Sequence, residues 1–144
     1  MEARTGSAAV RSRAFVLSPT WFLRLAAVEL FALWLIITTG AAVRLTDSGL
    51  GCEHWPGCEA GHPLPAKDYH AFIEFGNRVV GGVTILLTLL VAIAAWWTPL
   101  ERRARQLAVA LFVGTLAQAP LGYLAVKTDL RWPVVAAHLL LSMV

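Results

Sequence analysis

The sequence predicts an all-α, polytopic membrane protein, built as a bundle of transmembrane helices. Of its 144 residues, 58% are hydrophobic and only 15% are charged, whereas soluble domains are about 45–50% apolar. The charged residues fall in short clusters between long apolar runs. These runs are apolar on all sides, so we expect lipid to surround them, since a soluble helix would need a polar face.

Each apolar run is interpreted as one span. Residues 1–20 are polar and basic and are predicted to form a disordered cytoplasmic tail, while residues 21–144 are predicted to form a four-helix bundle with an outer loop at 45–69. The first run is longer than the core of a cleaved signal peptide, about 7–15 residues, so it is predicted to be retained. The predicted spans are Trp21–Val43, Tyr69–Trp97, Leu107–Val126 and Trp132–Val144.

The fourth predicted span is incomplete. At about 1.5 Å per residue it reaches roughly 20 Å, which does not cross a hydrocarbon core of about 30 Å. It also lacks the polar flank that ends a span. We therefore expect the chain to be a fragment or a truncated reading frame.

The distribution of lysine and arginine predicts the orientation. The loop 45–69 contains one basic residue, Lys67, and four acidic ones. Because basic residues concentrate on the cytoplasmic side, we expect a cytoplasmic N-terminus and an external loop, in the plasma membrane. The net charge of +3 does not indicate nucleic-acid binding, since Lys/Arg-rich runs are absent. The basic residues of the two segments predicted to be cytoplasmic are Arg4, Arg11, Arg13 and Arg24 at the N-terminus and Arg102, Arg103 and Arg105 after the second run.

Both cysteines, Cys52 and Cys58, lie in the predicted outer loop. An exported loop meets an oxidising compartment, in which paired thiols form disulfides. Closing so small a ring stabilises the folded loop by about 2–3 kcal/mol, because it limits the conformations of the unfolded chain. Three interpretations remain open. The cysteines could close a loop that covers a site, form a disulfide with a purely structural role, or belong to a thiol-oxidising enzyme, which would normally need a second cysteine pair.

The second span carries polar residues at helical spacing. Glu74 lies four residues after His70, Asn77 and Arg78 lie three and four residues after Glu74, and Gly81 lies four and three residues after those two. All five residues are therefore predicted to share one face. Ionisable groups within lipid are costly, and each one is therefore a candidate site residue.

His138 in the fourth span and Asn77 in the second are predicted to lie about 9–10 Å deep from the same side. At equal depth they are expected to face each other across a plate-like ligand such as haem, for which a lone buried histidine commonly serves as an axial iron ligand. The alternative is a histidine bonded to the carbonyl of a neighbouring helix. Arg44 and Arg78 suit anionic propionates, or else snorkel to lipid headgroups.

Two further features of the spans are interpreted as packing. Gly114, Gln118 and Gly122 form a small-polar-small stripe in the third span, which is typical of helix contacts. Glu29, in the cytoplasmic half of the first span, has no predicted partner and is interpreted either as a packing residue or as a neutral, protonated acid.

Four segments together resemble the haem A synthase family. The run from Thr39 to Cys52, followed by His54-Trp55-Pro56-Gly57-Cys58, resembles the first outer loop of that family. The match continues in order, with compatible spacing, to the end of the chain. The remaining segments resemble signatures of the second, third and fourth spans: Ile73–Arg78, Gln118–Gly122 and Ala137–His138.

The resemblance implies an eight-span protein of two similar four-helix bundles, of which this chain covers the first. It implies that this half holds the substrate haem O, and that a b-type haem belongs to the missing C-terminal half. The implied reaction oxidises a methyl group of haem O to the formyl group of haem A, for terminal oxidases. Glu74 is implied to be catalytic, His138 to bind the haem iron, and Cys52 and Cys58 to form a disulfide.

One position departs from the family pattern. The best-known members carry histidine where this chain has Asn77. An amide oxygen is a weak iron ligand, so the iron is expected to be five-coordinate or to bind water.

The resemblance also sets expectations about activity and partners. It implies an oxidoreductase, with this fragment inactive by itself, that works in the bilayer with the haem O synthase and an electron acceptor. The competing interpretation is a non-enzymatic, membrane haem-binding subunit that transfers electrons. That class predicts two strong iron ligands and needs no carboxylate, whereas Glu74 and Asn77 favour the enzyme.

Overall fold

The computed structural model describes residues 16–62, 64–65 and 68–143. Within those ranges the regular structure is four α-helices, with one isolated β-bridge between Glu59 and His62. The all-helical membrane bundle expected from the sequence is confirmed. The helices are α1 (Pro19–Leu45), α2 (Tyr69–Trp97), α3 (Arg102–Lys127) and α4 (Trp132–Leu141).

Local capping chemistry explains where the first two helices begin. The Ser18 hydroxyl accepts a 3.4 Å hydrogen bond from the Trp21 N–H, and Pro19 occupies the first turn, where its missing N–H costs nothing. Asp68 caps α2 in the same way by accepting a 3.0 Å bond from the Ala71 N–H. Helix α1 thus starts inside the segment predicted to be a tail, of which residues 1–15 lie outside the described part.

Helix α3 begins earlier than its apolar run. The sequence predicts a span from Leu107, but the helix starts at Arg102 because arginine and glutamine are good helix formers and extend it beyond the apolar stretch. Helix α4 ends at Leu141, and Val144, the predicted end of its run, is outside the described residues.

Three of the helices, α1, α2 and α3, are long and apolar enough to cross a membrane, whereas α4 has 10 residues. Large apolar side chains cover their surfaces: Leu30 is 68% exposed, Phe31 59% and Trp34 58%. Exposed apolar area on this scale is unfavourable in water and ordinary in lipid. The chain is therefore a membrane protein.

Helices that follow one another in sequence pack side by side. Helices α1 and α2 are antiparallel, and the Leu17 N–H donates a 2.7 Å bond to the Trp97 carbonyl where the two meet. Small residues allow the close approach: Thr84 is fully buried and its hydroxyl lies 3.4 Å from the Ala32 carbonyl. Among the described helices, α4 packs against α3 alone.

The described part of the connection between α1 and α2, residues 46–62, 64–65 and 68, lies at the same end of the bundle as the α3–α4 turn. We call this the loop end. The connection folds back over the helices there: a Cβ added at Gly49 would meet the Leu130 side chain at 2.8 Å. The loop end is where most of the candidate site residues lie.

Candidate functional site

Glu74 is buried in the first third of α2, with 4% of its surface exposed. Its Oε2 accepts a 2.9 Å hydrogen bond from the backbone N–H of Cys52, and its Oε1 pairs with Nη2 of Arg78, one turn along the helix. Both carboxylate oxygens are therefore held by protein donors. A buried carboxylate needs such partners, since a buried charge without them is very costly.

Arg78 extends from α2 into the loop. The two hydrogens of its Nη1 are shared among three backbone carbonyls of the loop, those of His54 at 2.6 Å, of Pro56 at 3.5 Å and of Gly57. Its Nη2 donates to Glu74. The sequence proposed Arg78 for a propionate, but in this structure both terminal nitrogens are bonded to acceptors of the chain itself.

Cys52 and Cys58 form a disulfide, with an S–S distance of 2.07 Å and six residues of separation. We call the segment 52–58 the disulfide ring. Both cysteines are buried and, with Ala71 and the partly buried Phe75, they make a small apolar cluster against α2. The three carbonyls that Arg78 binds belong to this ring, so the ring is fixed to α2 by apolar packing and by hydrogen bonds.

Gly51 allows the ring to lie so close to α2. A Cβ at this position would stand 2.5 Å from the carbonyl carbon of His70 and 2.6 Å from the Ala71 nitrogen. No side chain fits such a gap between two backbones, so glycine is required here. His70 itself, on the first turn of α2, has its Nδ1 2.9 Å from the hydroxyl of the buried Ser48.

The loop also reaches α3. The rings of Trp55 and Tyr123 lie 5.4 Å apart at an interplanar angle of 58°, a tilted arrangement that aromatic pairs favour. The disulfide ring therefore touches α2 through Arg78 and α3 through Trp55. Sequence reasoning missed this contact, because nothing in the spacing of residues 55 and 123 indicates that they meet.

Asn77 faces α1 and not the loop. Its Oδ1 lies 2.8 Å from the Thr39 hydroxyl, and a Cβ added at Gly40 would be 3.7 Å from the same atom. The single polar face predicted for α2 is thus divided in two. Successive helical residues differ by about 100°, so Arg78 turns towards the loop while Asn77 turns towards α1.

His138 packs against α3 at Gly122. A Cβ at Gly122 would lie 3.6 Å from Cε1 of the imidazole and 3.9 Å from Nε2. The His138 Nδ1 is buried and has no hydrogen-bond partner among the described residues, and the same is true of Oε1 of Gln118. The packing interpretation of the glycine stripe fits Gly122, whereas a Cβ at Gly114 would meet nothing within 4 Å.

The other candidate residues lie apart from this arrangement. Arg44 is exposed in the last turn of α1. Glu29 is 3% exposed within α1, and its Oε1 has no hydrogen-bond partner among the described residues. The structure therefore shows no partner for this oxygen, as the sequence also showed none. The structure brings Glu74, Arg78 and the disulfide ring together, and it places Asn77 and His138 at the α1–α2 and α3–α4 contacts.

A haem needs only one or two protein ligands, because the porphyrin supplies the other four. Among the described residues no group of three or more His, Cys, Asp or Glu side chains is placed to hold a bare metal ion. His138 fits the requirement of a haem ligand, since it has a buried ring nitrogen without a protein partner and a glycine beside it. In the described helices α2 and α4 do not pack on each other, so a flat molecule between them would not displace a helix contact.

Comparison with known proteins gives one consistent result. The sequence profile of a family described as cytochrome oxidase assembly protein (COX15-CtaA) matches residues 23–144. The relatives that follow are proteins named "Heme A synthase". The one from Bacillus pumilus is 32% identical over 123 residues, which are 83% of this chain and 40% of the relative.

Two further relatives match with similar identity and coverage. The protein from Shewanella oneidensis is 33% identical over 138 residues, covering 84% of this chain and 40% of its own. The one from Symbiobacterium thermophilum is 39% identical over 108 residues, which are 72% of this chain and 34% of the relative. The chain spans 40% or less of the length of these three relatives. No solved structure matches it.

Proposed function

The chain belongs to the family of cytochrome oxidase assembly proteins, and on that premise we propose that it takes part in haem A synthesis. The proposed reaction oxidises a methyl group of haem O to the formyl group of haem A, with haem O as the substrate bound by this bundle. The relatives named "Heme A synthase" support the activity. The single observation that carries it is Glu74, a buried carboxylate held by two protein donors in a membrane bundle.

We infer that His138 binds the iron of the substrate. Its buried Nδ1 has no hydrogen-bond partner among the described residues, and Gly122 places no side chain against the Cε1 and Nε2 edge of the ring. Asn77 is engaged with Thr39 across the α1–α2 contact, and an amide is a weak iron ligand. His138 is therefore proposed as the strong protein ligand, with water or no ligand on the opposite side.

Glu74 is proposed to accept a proton as the methyl group is oxidised. Conversion of the methyl group to the formyl group takes one oxygen atom from water and releases four electrons and four protons. A carboxylate fixed in a site of low dielectric suits the acceptance of a proton. The hydrogen bond from Cys52 and the pairing with Arg78 orient the carboxylate. The released electrons require an acceptor, which we propose to be a separate partner. The haem O synthase that supplies the substrate is proposed as a second partner.

Arg44 is proposed to receive a propionate of the substrate. It is exposed at the end of α1, close in sequence to the loop. Guanidinium groups bind carboxylates by charge-assisted hydrogen bonds. A b-type haem is proposed to serve the complete enzyme outside the region that this chain spans.

We propose that the loop end faces the outside of the plasma membrane and the N-terminus faces the cytoplasm. Two observations support this orientation: the disulfide lies at the loop end, and Arg102 and Arg103 begin α3 at the opposite end. Labelling of intact cells with an impermeant reagent tests it. A cysteine introduced at exposed Glu53 should react from outside, and one at exposed Glu101 should react only after lysis.

The activity is tested by pigment analysis in a host that makes haem O but lacks haem A. Purified chain should retain haem O, and membranes containing the full-length gene product should yield haem A. If the chain retains no haem, or if haem O persists unchanged beside a well-folded gene product, the proposed function is wrong. Bound haem with two strong ligands and no conversion would instead indicate an electron-transfer subunit.

A further inference from the structure

Arg78 is the centre of a cluster of acceptors that all belong to the chain. Three carbonyl oxygens of the disulfide ring, from His54, Pro56 and Gly57, converge on its Nη1. Carbonyl oxygens carry partial negative charge, so their convergence is unfavourable unless a cation lies among them. Glu74 on Nη2 completes the cluster and balances the charge of the guanidinium.

We propose that Arg78 is a positioning residue that holds the disulfide ring closed over α2 and, through the ring, holds Glu74 in place. This differs from the propionate role that the sequence suggested for it. Both terminal nitrogens already donate to acceptors of the chain itself, and Glu74 balances the guanidinium charge that a propionate would otherwise neutralise. The part of the proposal that concerns Glu74 rests on the proposed function, whereas the closing of the ring does not.

The position of Glu74 depends on the ring because of one backbone bond. The Cys52 N–H donates to Oε2 at 2.9 Å, and Arg78 holds Oε1. If the ring moved away from α2, Oε2 would lose this donor, and Arg78 would lose its three carbonyls at the same time. Gly51 permits the close approach that makes the Cys52 bond possible, so ring, arginine and acid form one unit.

The disulfide gives a direct way to observe the closed ring. Cys52 is 4% exposed and Cys58 is 1% exposed, so a dithiol can reach them only when the ring opens. In that reaction dithiothreitol is oxidised to its cyclic disulfide, while the Cys52–Cys58 bond takes up two electrons and two protons and becomes two thiols. The rate of reduction therefore reports how often the ring opens.

The experiment measures this rate in membranes that contain the full chain, without added haem. Membranes are exposed to dithiothreitol, and the thiols are trapped at intervals with a maleimide reagent that shifts the protein on a gel. We expect Arg78→Gln to be reduced at least about tenfold faster than the parent chain, since hydrogen bonds to a charged group are among the strongest. Arg78→Lys keeps the positive charge but lacks the two terminal nitrogens of the guanidinium, so its rate of reduction should lie between those of the parent chain and Arg78→Gln.

Arg131→Gln is the matched control, because Arg131 is an exposed guanidinium in the α3–α4 turn at the same loop end. It should be reduced at the parental rate. Glu74→Gln is a second test that does not remove the arginine: it weakens the pair while keeping a side-chain oxygen for Cys52, and should accelerate reduction by a few fold. Parental rates in both Arg78→Lys and Glu74→Gln would overturn the proposal, even if Arg78→Gln failed to fold.

Turnover in the full-length gene product separates positioning from propionate binding. A positioning role predicts that Arg78→Lys lowers kcat while KM for haem O stays unchanged, whereas a propionate role predicts a higher KM. An increased KM together with an unchanged rate of reduction would refute the positioning role and leave the proposed function intact. Absence of haem turnover in the parent protein as well as in every variant, with faster reduction in Arg78→Gln, would refute the proposed function alone.

Discussion

The hydroxyl of Thr39 in α1 lies 2.8 Å from Oδ1 of Asn77 in α2. This contact ties the two helices together and engages the side chain of Asn77. The Thr39 hydroxyl also lies 3.0 Å from the Leu35 carbonyl, so its one proton is shared among acceptors. Asn77 therefore belongs to the α1–α2 contact, and iron coordination by two strong side chains is not expected.

Replacing Asn77 with histidine is expected to change the spin state of bound haem. The parent chain, with His138 as its one strong ligand, should give a high-spin ferric spectrum, and Asn77→His should give a low-spin one because two imidazoles then bind the iron. Electron paramagnetic resonance of haem-loaded protein measures this. Thr39→Val removes the hydroxyl and keeps the shape, and it should leave the spin state unchanged. A low-spin spectrum in the parent chain would contradict the prediction.

Glu74→Gln is expected to abolish most haem A formation while haem O remains bound. Loss of a proton acceptor typically lowers a rate by about 10²–10⁴-fold. The assay is quantification of haem A and haem O extracted from membranes of the full-length gene product. Glu53→Gln, which neutralises an exposed acid of the disulfide ring, should retain the parental yield. Haem A at parental levels in Glu74→Gln would remove the proposed role of Glu74.

Removing the disulfide with the double substitution Cys52→Ser and Cys58→Ser is expected to loosen the loop. On the loop-entropy model, removing a disulfide that closes a ring of this size lowers the stability of the closed loop by about 2–3 kcal/mol. That is enough to raise the population of the open loop. Limited proteolysis from the loop side should cleave the connection 46–68 sooner than in the parent, while haem content is maintained. If turnover were lost with proteolysis and haem content unchanged, the disulfide would be more than a staple.

The space beside His138 is expected to be sensitive to the size of residue 122. A Cβ at Gly122 would be in ordinary contact with the imidazole, at 3.6 Å, so Gly122→Ala should be tolerated. Gly122→Leu should displace the ring and lower haem affinity by at least about tenfold, a loss of roughly 1.4 kcal/mol. Gly114→Leu is the control, since a Cβ there meets nothing within 4 Å. Equal affinity in the two leucine variants would place His138 away from the haem.

The helices could be predicted from the sequence, because long apolar runs have few alternatives to a transmembrane helix. Their ends were less predictable: α3 extends back to Arg102 since helix propensity does not stop where apolarity stops. The resemblance also implied the disulfide, which the structure contains.

The partners of side chains far apart in sequence could not be predicted. The spacing of Glu74 and Arg78 indicates an ion pair one turn apart, but it does not indicate that Arg78 reaches the carbonyls of residues 54–57. That contact depends on the path of the loop, which is set by Gly51 against α2 and by Trp55 against Tyr123. The division of the α2 face between Asn77 and Arg78 likewise follows from where α1 and the loop lie.

Whether His138 holds a haem iron in this bundle is measured most directly by haem titration of the purified chain and its His138→Ala variant. The account predicts that haem O binds the parent chain with the absorption spectrum of an imidazole-ligated iron. In His138→Ala the affinity should fall at least about tenfold, and added imidazole should restore the spectrum. Equal affinity and an identical spectrum in the two proteins would show that His138 is not the ligand and would contradict the proposed site.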